Sequence, residues 1–582
     1  MRVLFFIIRG SIKYMMIRQK ISEYISQALE NLSLESPTEI LLEHPKDLSH
    51  GDYATNVAMV LAKKLGKNPI ELAGMLVDEL LRLENPLIAS VSVAGPGFIN
   101  FTIDQKFFAD EVAEIIAQSD TYGRGTVFEG KKILVEHSSP NLFKAFHIGH
   151  LMNNTIGEAI KRLYVFAGAD VTTITYPSDV SLGIGKAVWQ FQQYGVEHLY
   201  QLPTLAQKVA FLGNCYAEGT NAMKDNPDLE PEIRRITQDI YEHRDTNSYR
   251  AYVLGRDLNL QYFDEVTRRL GSHFDGRIFE SEAGIIGKEI VQAHVPDVYT
   301  ESDGAVIYEG EVEGLHTRVF INKDGNPTYE AKDTGLLKLK FDRYQPDFSV
   351  FVTDHQQGPY FEVVVHAAGK INPLWKERTI HATHGRMQFK GQKMSSRLGN
   401  TPLVTDILDA VSDEVRARGN ERNLNDEQIE QISLSAVKYT ILRTQAGRDI
   451  NFDPDTSLSF EGDSGPYLGY THARSKSLLY RAKQAGMEVS TTMPNDWQVT
   501  NLERLLYRFG EITELAAQRR EPHMVVGYLM EVAQEFNSWY ASTKIINTTD
   551  TSSSYKLSLV QASGQVIKNG LWILGIVAPE EM

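Results

Sequence analysis

Cysteine is nearly missing from this chain: Cys215 is the only one in 582 residues. That excludes an intramolecular disulfide and any multi-cysteine zinc centre, and a reducing compartment, the cytoplasm, is the expectation. Also missing is any apolar run near the ~20 residues that a membrane-spanning helix needs. The N-terminal MRVLFFIIRG comes nearest, but its apolar stretch, Val3 to Ile8, is shorter than the hydrophobic region of a secretory signal, and no small-residue cleavage site follows. A start at Met15 or Met16 is an alternative expectation. Basic residues are outnumbered, 59 Lys and Arg against 75 Asp and Glu, for a net charge of -16. Sequence-independent binding of polyanions rests on clustered positive charge. A generic nucleic-acid binder is therefore excluded, and any such contact has to be a local patch.

What is present is an ordinary globular composition, 42% hydrophobic and 23% charged, in a chain too long for one core. Residues 17 to 122 read as a small α/β module, with helical spacing in IRQKISEYISQAL, a helix from Val57 to Leu65, and a break at Gly95-Pro96-Gly97. From Lys131 the pattern alternates strand, loop, helix, strand ("KKILVEH", a helix from about Leu151 to Gly168, "VTTITYP"), which predicts βαβ units and a parallel sheet. Residues 190 to 300 are polar and helical by spacing and read as an insertion; α/β character returns with "PDFSVFVTD" and "RTIHATHGRM". After Thr401 helical periodicity dominates. The expected organisation is a domain over 1–123, a second over 124–400 carrying the helical insertion at about 190–300, and a third, helical, over 401–582.

The chemistry concentrates where the first strand of the second domain gives way to its helix, in "HSSPNLFKAFHIGHLMNN". His147 and His150 lie three apart in a first helical turn and share a face. In an open parallel sheet, ligands bind beyond the strand carboxyl ends, against helix N-termini. Imidazoles placed there can donate to a phosphate that gains charge in a transition state, and Gly149 between them lets a ligand approach the backbone. A second element, "GQKMSSRLGN", lies about 240 residues downstream in a Gly-bounded loop, and only the fold can bring it near the first.

Together "HIGH" and "KMSSR" resemble the paired nucleotide motifs of class I aminoacyl-tRNA synthetases. The resemblance implies a Rossmann-type catalytic domain in which His147, Gly149 and His150 hold ATP while Lys393 and Met394 close over it. Such enzymes join an amino-acid carboxylate to the α-phosphate, so positioning and charge neutralisation carry the step. The family loop is usually KMSKS. Here Ser396 stands at the second lysine position, followed by Arg397, and Lys144, three residues before His147, is the candidate replacement cation. In that respect the chain is similar to the arginyl branch.

A guanidinium calls for carboxylates and planar acceptors. Glu136 is an acid at the end of an apolar strand, a costly place unless a cation sits opposite. Its spacing in "VEHSSPN" resembles the arginine-binding stretch of the arginyl enzymes, which implies Glu136, Ser139, Asn141 and His150 as arginine contacts. Tyr329 and Asp333, four apart on one predicted helical face, and Gln357 in "TDHQQGPYF" complete the implied set. The N-terminal module resembles the extra domain that arginyl enzymes place against the tRNA elbow, with Asn100 reading a base and Phe98 stacking. The C-terminal helices resemble the family's anticodon-binding bundle. There Arg474, Lys476, Arg481 and Lys483 interleave with Tyr467, Tyr470 and Tyr480, and Tyr470 and Arg474 are the expected RNA contacts.

The implied substrates are L-arginine, ATP with Mg2+, and tRNA(Arg), for a monomer with no membrane partner and no structural metal. Departures from the family pattern are Met152 and Asn153, where an arginine and a serine are usual, and the turn at "PSDVSLG", which keeps Asp179 without a tryptophan. A catalytically silent RNA-binding paralog, or a nucleotidyltransferase acting without tRNA, is also compatible with these residues.

Overall fold

The computed structural model describes residues 12–45, 47–144, 146–389, 403–418, 424–459 and 462–581. The loop residues Lys393, Met394, Ser396 and Arg397 lie outside these.

At the centre is a five-stranded sheet in the order Thr379–His384, Phe348–Asp354, Lys132–Glu136, Asp170–Thr175, Gly276–Arg277. Every neighbouring pair is parallel, with Val135 opposite both Val350 and Thr173. Parallel strands covered on both faces need continuous apolar runs, which "KILVE" and "FSVFV" supply. The chain begins in the middle, builds outward on one side, then returns to lay Phe348–Asp354 against the other side of its first strand. That reversal opens a crevice beyond the carboxyl ends of the two central strands.

The helix Ile148–Phe166 starts at this crevice and runs under the sheet, burying Leu151, Ile160 and Leu163. Asn153 ties it to both central strands: its Oδ1 accepts from Ser138 N at 2.6 Å and its Nδ2 donates to the Val352 carbonyl at 2.6 Å. Met152 is fully buried, in a cluster with Phe146 and Phe263. The two departures after "HIGHL" are therefore an apolar core residue and a cross-sheet brace. Asp179 accepts from Ser281 N and Ser281 Oγ, both at 2.8 Å, and so caps the helix Glu280–Ala293.

Within the stretch read as a helical insertion, the helices Leu205–Asp225, Glu230–Tyr241 and Asn247–Arg269 are present, but Gly276–Arg277 then joins the edge of the parallel sheet. The helix Glu280–Ala293 packs face to face on Tyr329–Tyr344 at a crossing that admits only glycine. A Cβ on Gly287 would stand 1.8 Å from the Ala331 carbonyl oxygen, and one on Gly335 2.0 Å from that of Ala283. Between these helices lies a small antiparallel sheet, Thr300–Ser302, Ala305–Tyr308 and Arg318–Ile321, which the sequence reading does not anticipate.

The N-terminal residues form a four-stranded antiparallel sheet ordered Leu42–Glu43, Tyr53–Thr55, Phe98–Ile103, Ile88–Ala94, with Ile99, Phe101 and Ile103 buried against helices. Gly95 and Gly97, both at positive φ, make the hairpin turn between the last two strands. This unit docks on the C-terminal helices through the fully buried Asp52, paired with Arg504, and through Glu511, which accepts from Tyr53 and meets His44 at 3.0 Å. The helices Gly465–Gln484, Pro522–Ser542 and Ser553–Ile573 share one core, which also takes in Ala159 and Leu163 of the helix that begins at the crevice.

Candidate active site

A cleft of about 640 Å3 occupies the crevice. The start of the helix Ile148–Phe166 forms one wall through an unusual cap. His147 is the N-cap, with extended backbone, and its Nδ1 accepts from Gly149 N at 3.0 Å; His150 Nδ1 accepts from His147 N at 3.1 Å. A backbone N–H can only donate, so each Nδ1 is an acceptor and each neutral ring carries its proton on Nε2. Burial pushes His150 down to about 3, and burial with the nearby Lys144 charge lowers His147. Two neutral N–H donors therefore face the cleft, with ring centroids 4.2 Å apart and Phe146 stacked on His150. Gly149 has a tighter reason than ligand approach: a Cβ there would stand 2.9 Å from His147 Cε1. The glycine makes room for the imidazole that caps its own amide.

Deeper in the cleft the charges are Glu136, Glu280, Asp333 and Lys340, with Lys332 behind Glu280 as its partner. Glu136 is 8% exposed, and the cation opposite it belongs to the protein: Lys340, on the helix Tyr329–Tyr344, forms a buried ion pair with it. Glu136, expected as a substrate contact, thus lines the cleft with an internal partner, since the same helix face that carries Asp333 brings Lys340 two turns further on. Lys332 pairs in the same way with Glu280. Among the described residues Asp333 has no ion-pair partner. Its carboxylate accepts from Tyr360 OH at 2.5 Å, and burial, reinforced by the charges of Glu136 and Glu280, pushes its pKa up to about 7. The Tyr176 hydroxyl, also in the cleft, is buried without a hydrogen-bond partner among the described residues. The inner cleft thus carries one uncompensated acid and one unsatisfied hydroxyl, a demand for a ligand that brings a positive charge and N–H donors.

The structure brings together Glu136, Ser139, Asn141, Lys144, His147, Gly149, His150, Tyr329, Asp333 and Gln357 on this cleft, although they come from segments up to about 220 residues apart. Ser139 Oγ accepts from Tyr176 N at 3.1 Å, and Asn141 is bridged to Ser178, so both also hold the loop in shape. Tyr329 is 58% exposed at the mouth. Gln357, not Gln356, lines the wall. Sequence reasoning missed Glu280, Lys340, Tyr176 and Tyr360, none of which stands in a local pattern; only the acid of Glu280, at the start of an amphipathic run, gave any signal.

Away from the cleft, Asn100 is 8% exposed, on the sheet face opposite the core, between Ala54 and Ser92 of the neighbouring strands; Phe98 is half-buried beside it. Arg474 lies between the rings of Tyr470 and Tyr540, at 4.7 and 5.0 Å, and donates to Asn537 Oδ1. Its guanidinium is therefore held by the fold as well as available at the surface. Lys476 pairs with Glu580 at 3.1 Å.

A parallel sheet with a switch-point cleft and an HxGH helix cap defines the class, and the comparisons agree. The chain belongs to the class I tRNA synthetases: the family model described as "tRNA synthetases class I (R), catalytic domain" matches residues 111–453, more than half of it. Within that class it is of the arginyl kind, since an arginyl tRNA synthetase N-terminal domain matches residues 19–103 and a DALR anticodon-binding domain residues 468–582. Aminoacylation of tRNA is the activity of this family. Curated relatives include the arginine–tRNA ligase of Clostridium perfringens, 28% identical over 97% of this chain and 99% of that one, and that of Clostridium botulinum, 29% identical over 97% and 100%. The solved Thermus thermophilus arginyl-tRNA synthetase shares the fold with a TM-score of 0.78 at 23% identity, covering 97% of this chain and 100% of that one. No helix among the described residues is long and apolar enough to cross a membrane.

Proposed function

We propose that this cleft activates L-arginine with ATP and passes it to the 3′ end of tRNA(Arg), with Asp333 as the anionic partner of the guanidinium. The single observation that carries the reading is the unpaired, buried carboxylate of Asp333 in the same cleft as two neutral imidazole donors. The arginine carboxylate attacks the α-phosphorus of ATP and pyrophosphate leaves. The nucleophile is already ionised, so no general base is needed. Nε2–H of His147 and of His150 donate to phosphate oxygens, and Lys144 and Lys393 neutralise the triphosphate, with Gly149 and Met394 bordering the nucleotide. Mg2+ enters with ATP as its counter-cation. A terminal ribose hydroxyl of the tRNA then attacks the adenylate carbonyl and AMP leaves.

Tyr329 faces the substrate's backbone end, while Gln357, Ser139 and Asn141 supply polar contacts; Glu136 acts through Lys340, by cancelling its charge. In this reading residues 1–123 meet the tRNA elbow through Phe98 and Asn100, residues 124–400 hold the chemistry, and residues 401–582 grip the anticodon through Tyr470 and Arg474. The chain works as a monomer in the cytoplasm. Pyrophosphate exchange into ATP over all twenty amino acids, with and without tRNA, tests it. Arginine-specific, tRNA-dependent exchange is expected. Tight tRNA binding without exchange indicates a silent paralog, and exchange without any amino acid a different nucleotidyltransferase.

A further inference from the structure

Among the described residues Lys144 makes no ion pair, yet its ammonium has a defined seat: it lies 4.7 Å from the ring centroid of Tyr216, on the helix Leu205–Asp225. Lys144 lines the cleft together with His147 and His150. Tyr216 is itself seated by Gly183, on the helix Leu182–Tyr194, where a Cβ would stand 2.2 Å from the tyrosine hydroxyl and 2.6 Å from its Cζ. That glycine closes the "PSDVSLG" stretch, the place where the chain lacks the family's tryptophan.

The same loop is gripped a second time from these helices. Phe143, fully buried and at positive φ, packs on Gly255, where a Cβ would stand 2.5 Å from its ring, and Phe143 N donates to Asn259 Oδ1 at 3.2 Å. Helices that contribute nothing to the parallel sheet thus hold the loop that presents Lys144, once by its backbone and once by its charge.

We propose that the helical segment Leu205–Arg269 is a positioning device for Lys144, with Tyr216 as the positioning residue whose ring face aims the ammonium at the nucleotide phosphates. A ring face attracts a cation without neutralising it, whereas a carboxylate in the same place would cancel the charge that the triphosphate needs. The inference rests on the reading of the cleft as an adenylate-forming site and assigns a role to a segment that reading leaves unused.

The test is arginine-dependent pyrophosphate exchange, with tRNA, in a set of variants. Tyr216→Leu should lower kcat by about five- to tenfold with the arginine KM unchanged, and Tyr216→Phe, which keeps the ring, should restore most of the rate. Gly183→Ala favours its helix by propensity but displaces the ring, so it should retain thermal stability and slow exchange as Tyr216→Leu does. In a Lys144→Ala background, Tyr216→Leu should have no further effect. The proposal is overturned if Tyr216→Leu slows the Lys144→Ala enzyme by the same factor as wild type, if Tyr216→Phe is as slow as Tyr216→Leu, or if Gly183→Ala is folded and unimpaired. A wild-type chain with no arginine-dependent exchange overturns the adenylate reading and this inference with it; wild-type exchange with any of those three results overturns this inference alone.

Discussion

Asp333 makes arginine binding a proton-linked event. In the protein alone its pKa is pushed up to about 7 by burial and by the charges of Glu136 and Glu280. A guanidinium pairs with the carboxylate and not with the acid, so in the complex the pKa falls well below that value. Below pH 7 the free protein must therefore release a proton to bind. Relative to pH 8, arginine affinity should weaken about twofold at pH 7 and about tenfold at pH 6, and the protons released per arginine should rise from about 0.1 at pH 8 to about 0.9 at pH 6. Titration calorimetry in two buffers of different ionisation heat reads both quantities. Among the cleft imidazoles, His150 is pushed down to about 3, out of this range, and burial lowers His147 and His384 as well, so the Asp333→Asn variant serves as the control for their contribution. Asp333→Asn should abolish the linkage. A binding enthalpy independent of buffer at pH 6, with affinity flat from pH 6 to 8, would refute the assignment of Asp333 as the guanidinium's partner.

The same carboxylate burdens the fold. A raised acid pKa means that the folded state keeps its proton longer than the unfolded one, so stability is lost as pH rises from the ordinary carboxylate range through 7. Asp333→Asn should therefore add on the order of 2 to 4 kcal/mol of stability at pH 8, seen as a higher melting temperature, while arginine binding weakens. Lys144→Ala should slow adenylate formation about a hundredfold if its charge meets the triphosphate; an unchanged single-turnover rate returns it to a solvated loop charge. His150→Ala should lower kcat by about a hundredfold or more, and the wild-type kcat profile should show no His150 inflection near neutral pH, since protonating that ring, pushed down to about 3, breaks its cap bond. Arg504→Met leaves Asp52 buried without its ion-pair partner and should cost about 3 to 5 kcal/mol, seen as early urea unfolding; a variant as stable as wild type would show that the docked N-terminal unit does not depend on that pair.

How much of this could be read from the chain depends on how local the cause is. "HIGH" at a strand-to-helix turn is legible because the cap, the shared face and the sheet edge all follow from neighbouring residues. Tyr329 and Asp333 are legible through one helical repeat. The pairing of Glu136 with Lys340 is not, because its partners are about 200 residues apart and only the parallel ladder between Lys132–Glu136 and Phe348–Asp354 sets them side by side. The strands at 300–321 are three or four residues long, too short for alternation to show. Asn100 reads in sequence as an amide that meets a base, but in the fold it is 8% exposed between Ala54 and Ser92 of the neighbouring strands, a pairing set by residues far from it in the chain.

Those ion pairs bear on why the substrate is arginine. Carboxylates alone around the cleft would attract any cation, and several of them, so a site built only from acids would be strong without being selective. Here Glu280 and Glu136 are paired with Lys332 and Lys340 and Asp354 with Arg386, so that among the described residues Asp333 is the cleft carboxylate without an ion-pair partner, oriented by Tyr360 and bordered by the Tyr176 hydroxyl. A lysine side chain could meet the charge but presents its three donors from one point, whereas a guanidinium spreads five N–H groups in a plane and can reach the carboxylate and flanking oxygens together. On this reading the internal lysines do not compete with the substrate. They remove the surplus charge that would otherwise reward the wrong cation, and leave donor geometry to decide.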